Sequence, residues 1–572
     1  MNFKINNIFV FLNKEQKINS ILLIFLMLIA VLIELFSLGT IVVIINTFLE
    51  MGNSMGSQGG YFEKFLADFK NSFSLKSIIS ILLFAFSLRF LILIFASWME
   101  SKFIAGLREK LTLNLYNNFL FRDPMKIFKK NSSEYIRNFN DEVNNVMLFY
   151  HSIIKFVLDL ILLTGLLIFL FIYNYKISFF IVIFFFTIGT LYYNAVKNKL
   201  VNWANIALEN RKKKIQFINE TFAAIKEIKI YSIEKYFLKR FSLQNTSLSK
   251  IFFKNSFIAA LPRHSLEYIL FLSIIFLIFF LNSNNFSQAS IIQILAVYTL
   301  VSFRITPIIS RILVSSQNIK FSVPSFKKLY VEYKQPIHTK NKNRNKFKYI
   351  KSLTIKIKNF KYDNGQGAIL KDISINVPKG AKIGIVGPSG SGKSTIIDII
   401  CGLKKAGKNS VKVDGKCILD NINDWQNNIG YIPQDIVILN QSVKENILFG
   451  FSNKECSNKK ILGILNRVSL SQFIKKLPGG LSHIIKQDGK NISGGEKQRI
   501  AIARSLIKNP EIIVLDEATS GLDTFTEAKI YQTIKKLRKT AIIVSHRVNS
   551  LNFCDKIYHL KNGKAHLLKN IK

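Results

Sequence analysis

Gly387, Ser389, Gly390, Gly392, Lys393 and Ser394 stand in the run Gly-Pro-Ser-Gly-Ser-Gly-Lys-Ser, after the apolar segment Lys382–Val386 and before a helical segment opening at Thr395. Glycines at these positions let the backbone curl until its N–H groups face a bound phosphate. The helix N-terminus that follows adds partial positive charge. Lys393 then reaches terminal phosphates, and the Ser394 hydroxyl is a ligand for Mg²⁺. A strand before and a helix after make this a phosphate loop rather than a chance glycine run. A second apolar segment, Ile512–Leu515, ends in the carboxylates Asp516 and Glu517. A buried parallel strand delivers such residues at its C-terminal edge, where ligands bind in doubly wound sheets. There Asp516 can hold Mg²⁺ through water, and Glu517 can take a proton from an attacking water.

Between the two lies Ile492-Ser493-Gly494-Gly495-Glu496, followed by Lys497-Gln498-Arg499. This run resembles the signature segment of the ATP-binding cassette (ABC) family. The resemblance implies ATP and Mg²⁺ as cofactors and further roles at matching positions. Tyr362, in Phe360-Lys361-Tyr362, matches the aromatic that stacks on adenine. Gln434, in Tyr431-Ile432-Pro433-Gln434, matches the loop glutamine that senses Mg²⁺. His546, in Val544-Ser545-His546-Arg547, matches the histidine at the γ-phosphate. Ser520-Gly521-Leu522-Asp523 matches the loop that crosses to a partner cassette. In this family each ATP lies between the phosphate loop of one cassette, here including Thr395, and the signature residues of another, here Ser493, Gly494 and Gly495. A homodimer is therefore the economical assembly, with a heterodimer as the other option. Two positions depart from the family pattern: Glu496 stands where Gln is usual, and Gly521 where Ala is usual. Hydrolysis is expected in spite of both.

The rest of the chain must position these groups and give the energy somewhere to go. Of 572 residues, 49% are hydrophobic and 50 are Phe, with only 20% charged and a mean hydropathy of +0.23. Long uncharged runs account for that balance better than a soluble core does. Six such runs lie near Ile18–Leu49, Ser77–Met99, Tyr150–Tyr173, Ile177–Tyr193, Leu266–Leu281 and Ile291–Leu313. The first is too long for the apolar region of a cleavable signal. The polar segments after the second and fourth runs carry clusters such as Arg108, Lys110, Arg122, Lys126, Lys129 and Lys130, then Lys197, Lys199, Arg211, Lys212, Lys213 and Lys214. By the positive-inside rule these face the cytoplasm, which places both termini there in an inner, cytoplasmic membrane. Their apolar periodicity predicts helices extended beyond the bilayer, with turning elements near Asp123–Glu134 and Glu220–Lys229. A short amphipathic helix is predicted over Tyr61–Phe69 outside.

The expected architecture is thus an α-helical polytopic membrane domain of six spans over 1–325, a Lys- and Asn-rich linker over 326–350, and an α/β P-loop ABC ATPase domain over 351–572. The net charge of +44 has two open readings, a compositional lysine bias and contact with anionic lipid. Cys401, Cys417, Cys456 and Cys554 lack metal-ligand spacing and are expected as free thiols. The six spans exclude a chromosome-maintenance or translation ATPase, and no basic groove with stacked aromatics suggests a nucleic-acid partner.

Charges within the spans are the guide to what moves. Glu34, Arg89, Arg263, Glu267, Arg304 and Arg311 sit where each costs about 2.5–3.5 kcal/mol on insertion scales, so each faces a cavity or a partner. One reading pairs Arg89 with Glu34 and Arg263 with Glu267. The other gathers Arg263, Arg304 and Arg311 into a cationic cavity wall suited to diphosphate oxygens. Arg304 and Arg311, two helical turns apart around Pro307, have no acidic neighbour in their own span. Ala259-Ala-Leu-Pro262-Arg263 and Phe303-Arg304 through Arg311 resemble the matching segments of bacterial lipid-linked oligosaccharide flippases of protein N-glycosylation. That resemblance implies an anionic polyprenyl-pyrophosphate glycan as substrate, flipped from the inner to the outer leaflet. The alternative is a multidrug, lipid or peptide exporter of the same fold.

Overall fold

A computed structural model of the chain describes residues 9–49, 74–128, 130–173, 175–283, 288–336, 349, 351–362, 367–451, 456–519 and 523–570. The amphipathic segment expected over 61–69 lies outside them, as do residues 520–522 with the Gly521 departure. The chain divides into two compact units, Met1–Arg122 with Ile127–Ile337 and Asp123–Lys126 with His338–Lys572.

The first unit is built from six long helices: α1 (Lys14–Leu49), α2 (Leu75–Leu120), α5 (Val143–Tyr173), α6 (Tyr175–Ala223), α8 (Glu234–Ser283) and α9 (Gln288–Tyr333). Short helices stand at the two predicted turning points: α3 (Pro124–Phe128) and α4 (Ser132–Arg137) at the first, α7 (Ile225–Ile230) at the second. Among the described residues, α1, α2, α8, α9 and the helix ending at Tyr173 are long and apolar enough to cross a membrane. The sixth apolar run lies on α6. With 49 and 50 residues, α6 and α8 are about 75 Å long at 1.5 Å per residue, more than twice a hydrocarbon core of ~30 Å. The apparent shortness of the fourth and fifth apolar runs therefore reflects their continuation as amphipathic helix.

Two apolar clusters hold these helices together. Val31, Leu38, Leu166, Val301 and Ile305 join α1, α5 and α9. Leu107, Leu111, Val146, Phe149, Phe326 and Leu329 join α2, α5 and α9. Large apolar side chains such as Leu83, Phe84, Phe90, Phe276 and Phe279 point outward instead, the surface that lipid chains cover.

Between α4 and α5 the chain makes one π-helical turn, Asn138–Glu142. A wider turn brings residues five apart onto one face, and here it sets Arg137 Nε 3.3 Å from Glu142 Oε1 with both side chains fully buried. Arg137 also donates to the Leu208 carbonyl at 3.0 Å. Farther along, residues 326–333 continue α9 and do not begin a solvated linker. Glu332 is buried, accepting from Arg122 Nη1 at 2.7 Å and pairing with Lys130. The polar composition of that stretch concealed a helix end whose buried acid is met by Arg122, just past α2, and by Lys130, between α3 and α4.

The second unit contains a six-stranded sheet and a four-stranded antiparallel sheet. In chain order the strands are β1 (Ser352–Phe360), β2 (Leu370–Pro378), β3 (Lys382–Val386), β4 (Val411–Val413), β5 (Lys416–Cys417), β6 (Ile429–Ile432), β7 (Gln441–Ser442), β8 (Ile484–Ile485), β9 (Ile512–Asp516), β10 (Thr540–Ser545), β11 (Lys556–Lys561) and β12 (Lys564–Asn570). The large sheet has the order β12-β11-β3-β10-β9-β6 and the antiparallel one β2-β1-β4-β5. Every residue of β3, β9 and β10 is buried, which is why these segments read as continuous apolar runs and not as alternation. The helices that matter below are α10 (Lys393–Ile400), α11 (Ile422–Asn427), α12 (Val443–Leu448), α13 (Asn458–Arg467), α14 (Ser471–Lys476), α15 (Gly494–Leu506) and α16 (Thr524–Lys536). All four cysteines are free and buried.

Candidate functional site

Three neighbouring parallel strands end at one edge of the large sheet. Val386 is level with Ser545, and Asp516 is level with Val544, so the segments after β3, β9 and β10 emerge together. Residues 387–392 leave β3 and lead into α10. Gly390 and Gly392 take φ of 78° and 98°, a region costly for a residue with a Cβ. At Gly387 a Cβ would lie 2.4 Å from the Leu560 carbonyl oxygen, so no side chain fits there. Lys393 is buried, and its ammonium donates to the Gly387 and Pro388 carbonyls at 3.0 Å each.

Glu517 is where the edge converges. Its φ of 48° is left-handed, a strained conformation for a residue other than glycine. The strain aims its carboxylate back across the strand ends. Glu517 Oε1 lies 3.3 Å from Lys393 Nζ and 2.9 Å from His546 Nε2, and Oε2 accepts from Gln434 Nε2 at 3.2 Å. Beside it, Ser394 Oγ donates to Asp516 Oδ1 at 3.4 Å. Burial first, then the nearby charges of Glu517 and Asp398, raise the Asp516 pKa above the ordinary aspartate value. A carboxylate so disfavoured as a bare anion gains most from a cation.

These residues fit Mg-ATP. Carboxylate and hydroxyl oxygens are the donors that Mg²⁺ prefers. Among the described residues, the loop also holds an orphan, the buried Ser391 Oγ, which has no hydrogen-bond partner, and the Lys393 ammonium is met by two carbonyls and Glu517. Tyr362 stands at the start of α10, its hydroxyl 3.2 Å from Thr395 Oγ1. It accepts from Lys404 Nζ at 2.6 Å, and Lys404 is bound in turn to Asp398 at 2.8 Å. Sequence reasoning missed Lys404 because nothing in its spacing marks it; only the fold returns it to Tyr362.

The signature residues lie elsewhere on the unit. Ser493 caps α15, its hydroxyl accepting from Glu496 N at 3.3 Å while the Glu496 carboxylate accepts from Ser493 N at 2.7 Å. This reciprocal cap suits a glutamate, and it gives the departure at 496 a local role. Gly495 is packed so closely on α16 that a Cβ would sit 2.9 Å from Thr526 Cγ2. Asp523 caps α16, accepting from Thr526 N at 2.9 Å. Among the described residues, neither Ser493 nor Asp523 bonds the phosphate loop of its own chain. Ser389 is exposed in that loop, and Gly494 is exposed at the helix start.

In the helical unit most of the span charges singled out above are paired across helices, and one pair lies within α8. Arg89 Nη2 lies 3.0 Å from Glu34 Oε1, the pairing that one sequence reading proposed. Arg304 approaches the same oxygen at 4.0 Å. Arg311 makes three bonds to Asp159 of α5, the shortest 2.7 Å. Asp159 escaped the sequence reading, although a lone aspartate inside the run Tyr150–Tyr173 was a visible signal. The absence of an acidic neighbour within the sixth span therefore did not leave Arg311 unpaired. Arg263 pairs with Glu267 at 3.1 Å, with its side chain 75% exposed.

Comparison with known proteins places this geometry. Residues 16–308, just over half of the chain, match the ABC transporter transmembrane region, and residues 370–520 match the ABC transporter model. Curated relatives include ABC transporter B family member 6 of Dictyostelium discoideum, 38% identical over 37% of this chain and 31% of that protein. The mitochondrial iron-sulfur clusters transporter ATM1 of Candida glabrata is 41% identical over 36% of this chain and 28% of its own length. A putative multidrug export ATP-binding/permease protein of Staphylococcus aureus is 36% identical over 36% of each chain. The chain thus spans about a third of the length of the curated relatives it matches. A solved bacterial Atm1-family ABC exporter with ATP bound superposes with a TM-score of 0.77 over 97% of this chain and 95% of that one, at 20% identity, a likeness of fold. With both regions matched on one polypeptide, the chain is a multi-pass membrane protein and belongs to the ABC transporter family, with an exporter-type helical region fused to an ABC ATPase region.

Proposed function

We propose that the chain acts in a pair, most simply as a homodimer, as an ATP-driven exporter. The single observation that carries this is the convergence of Lys393, Gln434 and His546 on the Glu517 carboxylate, within a chain whose other unit is a bundle of membrane-length helices. Gly387, Ser389, Gly390, Gly392 and Lys393 hold the phosphates, Tyr362 and Thr395 border the nucleotide, and Ser394, Asp516 and Gln434 hold Mg²⁺. The metal neutralises phosphate charge. Glu517 accepts the proton of the attacking water, and His546 steadies that carboxylate and the transferred phosphate. Ser493, Gly494, Gly495 and Asp523 serve the nucleotide of the second chain; among the described residues neither Ser493 nor Asp523 bonds the home phosphate loop. The basic segments after α2 and within α6 set both termini on the cytoplasmic side of an inner membrane.

For the cargo, general export is the first reading; relatives are named for iron-sulfur clusters and for multidrug export. A lipid-linked oligosaccharide is the second. It is favoured by one imbalance: Arg89 and Arg304 share a single carboxylate, Glu34, which leaves one positive charge over, while Arg263 is largely exposed. Asp159 balances Arg311, which weakens that residue as an anion contact. Proteoliposomes decide both levels. ATP-dependent movement of any cargo that vanishes in Lys393→Ala supports the exporter. Movement of a polyprenyl-pyrophosphate glycan, lost in Arg304→Ala by a larger factor than hydrolysis, supports the second reading; dye movement without glycan movement ends it.

A further inference from the structure

Away from the strand edge, a cleft of about 890 Å³ opens between α13–α14, α15 and α16. Its size is that of a small-molecule site. Six cations line it: Arg467, Lys476, Arg499, Lys529, Lys536 and Arg538. Among the described residues, the one carboxylate in the lining is Glu496, already engaged by the Ser493 amide. Among the described residues, none of the six cations forms an ion pair. The Arg499 Nε atom is buried with no hydrogen-bond partner, a position that costs free energy until an acceptor arrives.

The local alternatives are one cation–π contact, Lys529 over the Phe525 ring at 4.0 Å, and helix dipoles, because Arg467, Lys476 and Lys536 stand in the last turns of α13, α14 and α16. Each helix end supplies about half a negative charge. Three ends therefore offset roughly 1.5 charges, against a lining excess of five cations. A concave site with this surplus concentrates anions. Uncharged polar side chains such as Gln472 and Gln532 fill most of the remaining lining, with Phe473 and Leu537 as its apolar members.

We propose that this cleft is a second, non-catalytic anion site that takes a small ligand bearing two or more clustered phosphates. The ligand bridges α15 to α16 and the α13–α14 pair and supplies the acceptor that Arg499 Nε lacks.

The test uses full-length protein in phosphatidylcholine nanodiscs, with the catalytic site filled by a saturating non-hydrolysable Mg-nucleotide, titrated with inorganic tripolyphosphate by calorimetry. Saturable binding is expected, weakened at least tenfold by Arg467→Glu with Lys536→Glu, weakened less by Lys536→Gln alone, and unchanged by Lys416→Glu outside the cleft. Raised salt should weaken it further. Adding phosphatidic acid to the nanodiscs separates two sources of the same chemistry. Competition with tripolyphosphate in the unsubstituted protein assigns the site to a lipid headgroup, and its absence assigns it to a soluble anion. No binding in the unsubstituted protein, or equal binding in the double variant, overturns the proposal.

Discussion

The edge of the large sheet and the interior of the helix bundle both gather charge, and they do so for opposite ends. At the edge, Asp516 and Glu517 are adjacent carboxylates held close together, one with a raised pKa and one on a strained backbone. Like charges so placed are poised for a cation and a proton. In the bundle, Arg137–Glu142, Arg311–Asp159 and Arg89–Glu34 are opposite charges that largely neutralise one another. The first arrangement stores a demand that Mg-ATP meets. The second removes demand, because an unpaired charge between helices would cost more than the pair. Like charges set side by side therefore mark chemistry here, even with Glu517 met by Lys393, His546 and Gln434, and opposite charges closed on each other mark architecture.

That contrast is open to attack at both ends. The largest effect is expected at Glu517: Glu517→Gln should lower steady-state ATP turnover by about 10²–10⁴-fold, the range for a general base, while nucleotide still binds in a filter assay. A drop of less than tenfold would move the proton acceptor elsewhere. In the bundle, Arg137→Ala leaves Glu142 buried without its partner and should cost about 3–5 kcal/mol, read as a lowered thermal midpoint in detergent with no specific change in KM for ATP. Asp159→Asn removes only one side of a pair whose arginine reaches solvent; the loss should be nearer 1.5–3 kcal/mol, the range for a charged hydrogen bond.

A pH titration sharpens the edge. Asp516 holds its proton to higher pH than an ordinary aspartate. Its contribution to folding without metal is therefore present at acid pH and is lost as pH rises through the folded value. Mg²⁺ competes with that proton. Apparent Mg²⁺ affinity should fall as pH drops through the same value, by up to about tenfold per pH unit, and Asp516→Asn should flatten this dependence. The smallest effect is expected for Arg263→Ala, because its pair with Glu267 is exposed and such pairs contribute about 0–1 kcal/mol. A change in cargo selectivity with unaltered stability would then single out Arg263 as a contact with what is moved.

The sequence alone determined the phosphate loop, the carboxylate strand, the signature run and the six apolar segments. Each is a local pattern whose meaning rests on neighbours within about ten residues: glycines that permit a left-handed turn, a buried strand with no alternation, a run long enough for a bilayer. Local patterns survive translation into structure because backbone geometry is set nearby. The tertiary structure decided what the charges do. Asp159 meets Arg311, and Glu332 meets Arg122, across gaps of 152 and 210 residues. Lys404 returns to Tyr362, and three strand ends deliver Lys393, His546 and Gln434 to one carboxylate. Electrostatic pairing acts through space, so no spacing along the chain announces it; helices crossing and strands in register bring the partners within 4 Å. For the same reason the polar stretch at 326–333 read as linker, although its one acid was already matched by two cations that the packing of α9 brings within reach.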